Sequence, residues 1–474
     1  VYYTGIDDGY VHITRDNGKS WQNITPKGLG VALVNTIDVS PHDPATVYVA
    51  TTKYKFNDYT PAIYKSTDYG KSWKKISNGI PYGAYTRVVR EDQDRKGLLY
   101  AGTETGVYIS LNDGINWEPF QLNLPVTPIT DLMVHKGDLI VATSGRGFWI
   151  LDDLGLLKQK KNDTGFKLYT PEETINGFWG SPLSFNNPSF DGTNPFEGVN
   201  PANGVVVYYN LPKLDKEDKV TLEIRNSKGE LVNTITSERD KNYRRWDGGP
   251  PPASVLSKSK GLNRFVWNMS YPIMPGVPDV YIEANYRGHR VGPGTYSLTL
   301  KAGSDSQTVK TVINENPQYE TSSGQYEEYD TIMKDMEATL TDMHNKVNLL
   351  FKVQTQLKEI VAALKKAGKK SLATEGQQLI DDLKNWDEDM VQRKSKAYDD
   401  VENFPNKFSA EYIFLINQTE SSIPRVNDQN KNRKIELDAQ WNQLKSKANN
   451  FTNSSIPDFN KKLWEAGVGA IKMN

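Results

Sequence analysis

Cysteine is absent from all 474 residues. That excludes a disulfide framework, a thiolate metal site and a cysteine nucleophile. It leaves the compartment open, because a secreted bacterial protein with large cores needs no disulfides. Histidine is scarce: His12, His42, His135, His289 and His344 fall in different elements, and neither H-E-x-x-H, a phosphate-binding loop nor G-x-S-x-G occurs. No cofactor and no metal is expected. Long apolar runs are missing too, and none approaches the ~18–20 residues a membrane span needs. Neither charge is in excess, with 57 basic against 58 acidic residues and a net charge of −1. That balance argues against nucleic acid or an anionic membrane as the main partner. No signal peptide is visible, and the opening Val1-Tyr2-Tyr3 reads as a processed or truncated chain. The length predicts two to four domains.

What is present begins with a repeat. Ser66-Thr67-Asp68-Tyr69-Gly70-Lys71-Ser72-Trp73 recurs as Thr14-Arg15-Asp16-Asn17-Gly18-Lys19-Ser20-Trp21, and again, with Asn112 in the Asp place, as Ser110 to Trp117 with Gly114. The pattern S/T-x-D-x-G-x-x-W suits a hairpin. The Ser or Thr ends a strand, the Asp accepts backbone N–H bonds, and the Gly supplies a positive φ. The Trp opens the return strand and is expected to pack back over the loop. Trp21, Trp73 and Trp117 lie 52 and 44 residues apart, near the ~40–50-residue spacing of propeller blades. Short alternating runs precede and follow each box, as in four-stranded blades. The count gives part of one blade, two full blades and a final blade beginning near Ile129, with Phe166–Tyr169 expected as its outer strand. A propeller closes with roughly four to eight blades. The expectation is an incomplete ring whose remaining blades lie in another chain or in a missing N-terminal segment.

The boxes resemble the Asp-box (bacterial neuraminidase repeat) propellers, and Ser144 to Asp153 resembles the last blade of bacterial sortilin-like proteins, often labelled glycosyl-hydrolase-like. Animal sortilins carry a Cys-rich module that a chain without cysteine cannot have. The resemblance implies that the box lies on an outer hairpin, away from the central channel where ligands bind. It therefore implies structural turns at Thr14, Asp16, Gly18, Trp21, Ser66, Asp68, Gly70, Trp73, Ser110, Asn112, Gly114 and Trp117. Asp152-Asp153 aligns with the same turn. Arg146, on a Gly-flanked loop, and Trp179 are candidate ligand-face residues. No catalytic residue can be nominated.

Four segments are expected: blades over 1–172, a linker over 173–203, an Ig-like β-sandwich over 204–316 and an antiparallel α-helical bundle over 318–474. The linker is dense in Gly, Pro, Asn and Phe without a period. Alternating runs such as Val205–Tyr209 and Val220–Ile224 signal the sandwich. Gly261–Asn268 and Gly292–Tyr296 resemble the Ig-like domain of flagellar hook-capping proteins, in which the Trp and Tyr are core residues. After Pro317 the stripe Met336, Leu340, Met343, Val347, Leu350, Leu357, Val361, Leu364 keeps 4-3 spacing, with Gln354 as its polar interruption. Three further stripes follow, around Leu379 to Met390, Phe408 to Thr419 and Leu437 to Phe451.

The expected function is a non-catalytic binding or scaffold protein outside the cytoplasm: secreted, periplasmic or on a bacterial cell surface. Its partners would be a peptide, protein or glycan ligand and whatever completes the ring. Two alternatives stand beside it. One is a glycoside hydrolase of the propeller class whose carboxylates lie partly in the missing blades. The other is a subunit of a cell-surface assembly, trimmed from a larger precursor.

Overall fold

The computed structural model describes residues 1–160, 164–177, 202–322 and 324–473. Residues 1–160 form one compact unit; the remaining described residues form a second. In the first unit four antiparallel sheets follow one another along the chain. The first sheet is β1 (Tyr2–Gly5), β2 (Val11–Thr14) and β3 (Gln22–Asn23). The second is β4 (Leu33–Val39), β5 (Val47–Lys53), β6 (Asp58–Ser66) and β7 (Lys74–Lys75). The third is β8 (Thr86–Glu91), β9 (Leu99–Thr103), β10 (Val107–Ser110) and β11 (Glu118–Pro119). The fourth is β12 (Ile129–His135), β13 (Asp138–Thr143) and β14 (Phe148–Leu151), followed by the short helix α1 (Gly155–Gln159).

Strand alternation explains how these sheets stack. Successive side chains of a strand point to opposite faces. In β5, Val49 enters a core with Val11 and Ile13 of the first sheet. Its neighbours Tyr48 and Ala50 enter a different core, with Val89, Leu99 and Ala101 of the third. Around β9 the division repeats: Leu98 and Tyr100 meet Leu132, Val134 and Leu139 of the fourth sheet. The middle sheets are covered on both faces, which is why β5 and β9 read as unbroken apolar runs. The first strands of successive full sheets pack closely on one another, β4 on β8 and β8 on β12, and β1, which stands where β5 and β9 stand in theirs, packs on β4; the short fourth strands have no comparable contact. The first strands therefore converge toward the axis of a propeller-like array. Each of β4, β8 and β12 also carries a bulge near its start, at Asn35, Arg87 and Thr130. No feature of the sequence announced this shared irregularity.

One expected strand belongs elsewhere. Residues 166–169 do not close the fourth sheet. In the second unit β15 (Lys167–Leu168) pairs with β17 (Val205–Leu211), which pairs with β20 (Gly261–Trp267). The cause is burial: Leu168 sits in a core with Val207, Trp267 and Leu298. β16 (Thr174–Ile175) joins the facing sheet in the order β16-β22-β21-β18-β19, built from β18 (Val220–Arg225), β19 (Leu231–Thr236), β21 (Gly294–Ala302) and β22 (Asp305–Asn314). These two sheets share one core and form a sandwich. The break between units thus falls before residue 164 rather than at 172.

The helices are α2 (Gln325–Lys366), α3 (Lys370–Met390), α4 (Phe408–Glu420), α5 (Asp428–Asn450) and α6 (Ile456–Glu465). The 42 residues of α2 span about 63 Å at 1.5 Å per residue, and its apolar stripe is buried from Met333 to Leu364. Gln354 is buried within that stripe, and its amide donates to the Ile380 carbonyl. The sandwich and helices are one unit, with no break at residue 317. The reason is an excursion between β20 and β21, whose Met274, Val277, Val280, Ile282 and Tyr286 enter the helical core.

Two buried histidines fasten that excursion to the helices. His344 of α2 lies 2.5 Å from the Pro275 carbonyl through Nδ1 and 2.5 Å from Ser409 Oγ through Nε2. A carbonyl only accepts, so Nδ1 carries the proton and Nε2 of the neutral ring accepts from the serine hydroxyl. Burial pushes its pKa down to about 4, opposed by the Pro275 bond. His289 of the excursion is fully buried, with Nε2 3.2 Å from Asp330 Oδ1 and Nδ1 3.0 Å from Glu337 Oε2. Burial opposes its protonation, but Asp330 and Glu337 outweigh burial and raise its pKa.

The two rings give opposite slopes of stability with pH. For His344 the folded pKa lies below the unfolded one, so stability is present above pH 6.5 and is lost as pH falls toward about 4. The loss reaches on the order of 3 kcal/mol. For His289 the contribution is present below pH 6.5 and is lost as pH rises through its raised pKa. Denaturant midpoints measured from pH 8 to pH 4 should therefore fall on the acid side, and His344→Gln should flatten that fall. An unchanged acid limb in the variant would contradict the assignment.

Candidate ligand-binding face

The three boxes fold alike. In the first, the Thr14 hydroxyl donates to Asp16 Oδ1 at 2.8 Å and accepts from the Gly18 N–H at 2.9 Å. Asp16 accepts from the Ser20 N–H at 2.9 Å and the Ser20 hydroxyl at 2.6 Å. Ser66, Asp68, Gly70 and Ser72 repeat this with bonds of 2.8, 2.8, 2.9 and 2.7 Å. Ser110, Asn112, Gly114 and Asn116 keep the backbone bonds at 2.9 and 3.0 Å, the amide oxygen of Asn112 standing in for the carboxylate. Paired positive φ values, at Asn17 and Gly18, Tyr69 and Gly70, and Asp113 and Gly114, form each turn. The Ser20 and Ser72 bonds hold Asp16 and Asp68 ionised, with pKa lowered to about 2. A carboxylate so occupied has no proton to donate at neutral pH.

The tryptophans do something the sequence reading missed. The Trp73 indole N–H donates to the Ile24 carbonyl at 2.6 Å, and that of Trp117 to the Ile76 carbonyl at 2.5 Å. Both acceptors lie in the preceding sheet, so the box fastens the second sheet to the first and the third to the second.

The opposite end of the sheets has different chemistry. β6 runs from Asp58 to Ser66, so its start lies about 26 Å from the box that follows its end. At that start Tyr54 stacks on Tyr85 with ring centroids 5.4 Å apart. Tyr59 meets Tyr82 edge-on at 6.1 Å and Tyr85 at 6.0 Å. Arg87 lies over the Tyr85 ring at 5.6 Å and is tied to Glu104 by a 2.7 Å bond. Tyr82 is 69% exposed, and Phe56, on the same hairpin as Tyr54, is exposed as well. Val31, Leu122 and Val126, on the connections between sheets, are exposed as well. Arg146 sits on the β13–β14 turn, which corresponds to the Tyr54 hairpin two sheets earlier. Its N–H donates to Thr143 Oγ1 at 3.1 Å and its carbonyl accepts from the Trp149 indole at 3.0 Å. Trp179, the other candidate, lies outside the described residues. The sequence held a signal for the tyrosine rim: most of the extra length between Trp21 and Trp73, against Trp73 and Trp117, lies in the hairpin that carries Tyr54 and Phe56.

A third feature lies on the first strands. Arg90 of β8 reaches Asp131 Oδ1 of β12 at 2.8 Å and Asp38 Oδ1 of β4 at 3.6 Å. Asp38 also accepts the Glu91 N–H at 3.0 Å. Burial raises the Asp38 pKa to about 6, against the lowering effect of that bond and of Arg90. The Asp152 carboxyl, at the box end, is raised by burial and then by Asp138 and Asp153.

No family model matches this chain, and no curated protein matches it. Among solved structures it is similar to YCF48 bound to D1 peptide, at 17% identity over 32% of this chain and 47% of that one, with a TM-score of 0.26. It is similar to PorZ, an essential bacterial surface component of the type-IX secretion system of Porphyromonas gingivalis, at 11% identity over 65% and 42%, with a TM-score of 0.25. It is also similar to the GH74 xyloglucanase from Xanthomonas campestris, at 11% identity over 65% and 43%, with a TM-score of 0.27. All three are β-propeller proteins. This chain spans less than half the length of each. The functional reading rests on the geometry above.

The two ends of β6 can be separated by mutation. Asp68→Ala should lower the melting temperature through lost turn bonds, and Asp68→Asn should lower it less, since Asn112 fills that place in the third box. Neither should change affinity for any ligand of the opposite end. Calorimetry with parallel binding measurements checks both.

Proposed function

We propose that this chain is part of a binding or scaffold protein of the Asp-box, sortilin-like propeller class, acting outside the cytoplasm. The ligand is a peptide, protein or glycan, held at the end of the blades away from the boxes. The sandwich is read as Ig-like and the helices as an antiparallel bundle that braces it or receives partners. The chain is read as one piece of a larger ring or assembly. The observation that carries this reading is the tyrosine rim. Tyr54, Tyr59, Tyr82 and Tyr85 form a contiguous aromatic cluster at one end of the blades. Exposed rings with an apolar body and a polar tip concentrate at binding surfaces. The box end, in contrast, spends its polar groups on its own turns.

A panel of oligosaccharides and peptides tested by calorimetry decides the matter. Tyr54→Ala and Tyr82→Ala should each weaken binding about tenfold or more, near 1.4 kcal/mol, with little change in melting temperature. Retained affinity in both variants would refute the rim as the ligand face.

The glycoside hydrolase reading keeps one specific support. Asp38, with its pKa raised to about 6, shares Arg90 with the more exposed Asp131, and a carboxyl raised by burial beside a second carboxyl is a group that acid–base chemistry can use. Polysaccharide turnover by the chain, abolished in Asp38→Asn and Asp131→Asn, would favour it over the binding reading.

A further inference from the structure

The first sheet repeats the box but lacks the contacts that the other two boxes make. Trp117 is 3% exposed and Trp73 half-buried, each with its indole N–H on a carbonyl of the preceding sheet. Trp21 is 47% exposed and makes no hydrogen bond through its indole among the described residues. The glycines show the same difference. A Cβ on Gly70 would lie 2.4 Å from Ile24, and one on Gly114 would lie 2.6 Å from Ile76, whereas one on Gly18 would meet nothing within 4 Å. Tyr2 and Tyr10 are also exposed on this sheet. The two occupied sockets define their occupant closely. In both, an isoleucine stands one residue past a fourth strand, packs on the box glycine and offers its carbonyl to the indole.

We propose that the Gly18–Trp21 face of the first sheet is a docking surface for one more blade of the same repeat. That blade presents an aliphatic residue just past its fourth strand and is supplied by polypeptide outside these 474 residues. The proposal rests on reading the sheets as propeller blades and deepens it by naming the surface that continues the ring. A second copy of this chain does not fit the description. Its Ile24 and Ile76 carbonyls are already taken by Trp73 and Trp117. Phe120, the residue past the remaining fourth strand, packs into the core between the third and fourth sheets.

The test uses the whole chain. In the unmodified protein, Trp73→Ala and Trp117→Ala should each lower the melting temperature by several degrees, and Trp21→Ala should move it by no more than about one degree. A copy of residues 33–97 is then fused ahead of Val1, so that it brings one blade and the first strand that the sheet of β1 lacks, with Phe in place of its own tryptophan. In the fused chain Trp21 should become about tenfold or more slower to oxidise with N-bromosuccinimide, and its emission should shift to shorter wavelength. Ile76→Asp in the fused copy should abolish that protection. The proposal is overturned if Trp21→Ala costs as much as Trp73→Ala in the unmodified chain, for then the indole is already engaged. It is overturned if Trp21 stays as reactive in the fused chain as before. It is overturned too if the unmodified chain dimerises in sedimentation and Trp21→Ala dissociates it. Silence of Trp73→Ala and Trp117→Ala would instead refute the blade reading beneath it.

Discussion

The first unit depends on one bond made twice, between a tryptophan indole N–H and a backbone carbonyl in the neighbouring sheet. A sheet of short strands is stable only with an apolar face to cover. Here each middle sheet gains stability by lending one face to the sheet before it and the other to the sheet after it. Strict alternation in β5 and β9 makes that division possible, and the indole bond fixes the angle and register at which neighbours meet. The box is therefore a coupling device between sheets as well as a turn within one. Its glycine serves both purposes, since the positive φ forms the turn and the missing Cβ leaves room for the isoleucine of the adjoining sheet.

The second unit solves the same problem differently. A sandwich and a set of helices each have their own core, and nothing in their sequences demands that they merge. The excursion between β20 and β21 merges them by placing Met274, Val277, Val280, Ile282 and Tyr286 among the helices. Its polar fastenings are two imidazoles of opposite character. His344 is kept neutral by burial between a carbonyl and a hydroxyl, and His289 is drawn toward the charged form by two carboxylates of α2. A neutral ring in an apolar site and a cation in an acidic one are both satisfied states.

Much of this was legible in the sequence. The boxes marked the turns, the stripe from Met336 to Leu364 marked the long helix, and alternating runs marked most strands. Those features depend on residues close together in the chain. What stayed hidden depends on distant partners. The tryptophans' acceptors lie 41 and 49 residues away. The bulges at Asn35, Arg87 and Thr130 follow from sheet curvature rather than from residue type. Phe166–Tyr169 has strand character wherever it goes, and only the room beside Val207 and Leu298 decided its sheet. The tyrosine rim was hidden for a related reason: Tyr54 and Tyr59 on one hairpin and Tyr82 and Tyr85 ahead of β8 look unrelated until the fold brings them together.

Because each sheet of the first unit, among the described residues, is bonded sideways to its immediate neighbours, the array has the contact pattern of a one-dimensional stack. Free energy in such a stack is a sum of sheet and interface terms, and end members hold one interface where interior members hold two. The sheets holding β5 and β9, covered on both faces, have the contacts expected of the slowest-exchanging part, and the first and fourth sheets those of ends that open first. A perturbation delivered at the outer face of either end sheet must cross the interior interfaces in sequence. Two of those interfaces carry an indole bond, and the third, between the sheets of β9 and β13, rests on its apolar core and on Arg90 and Arg95.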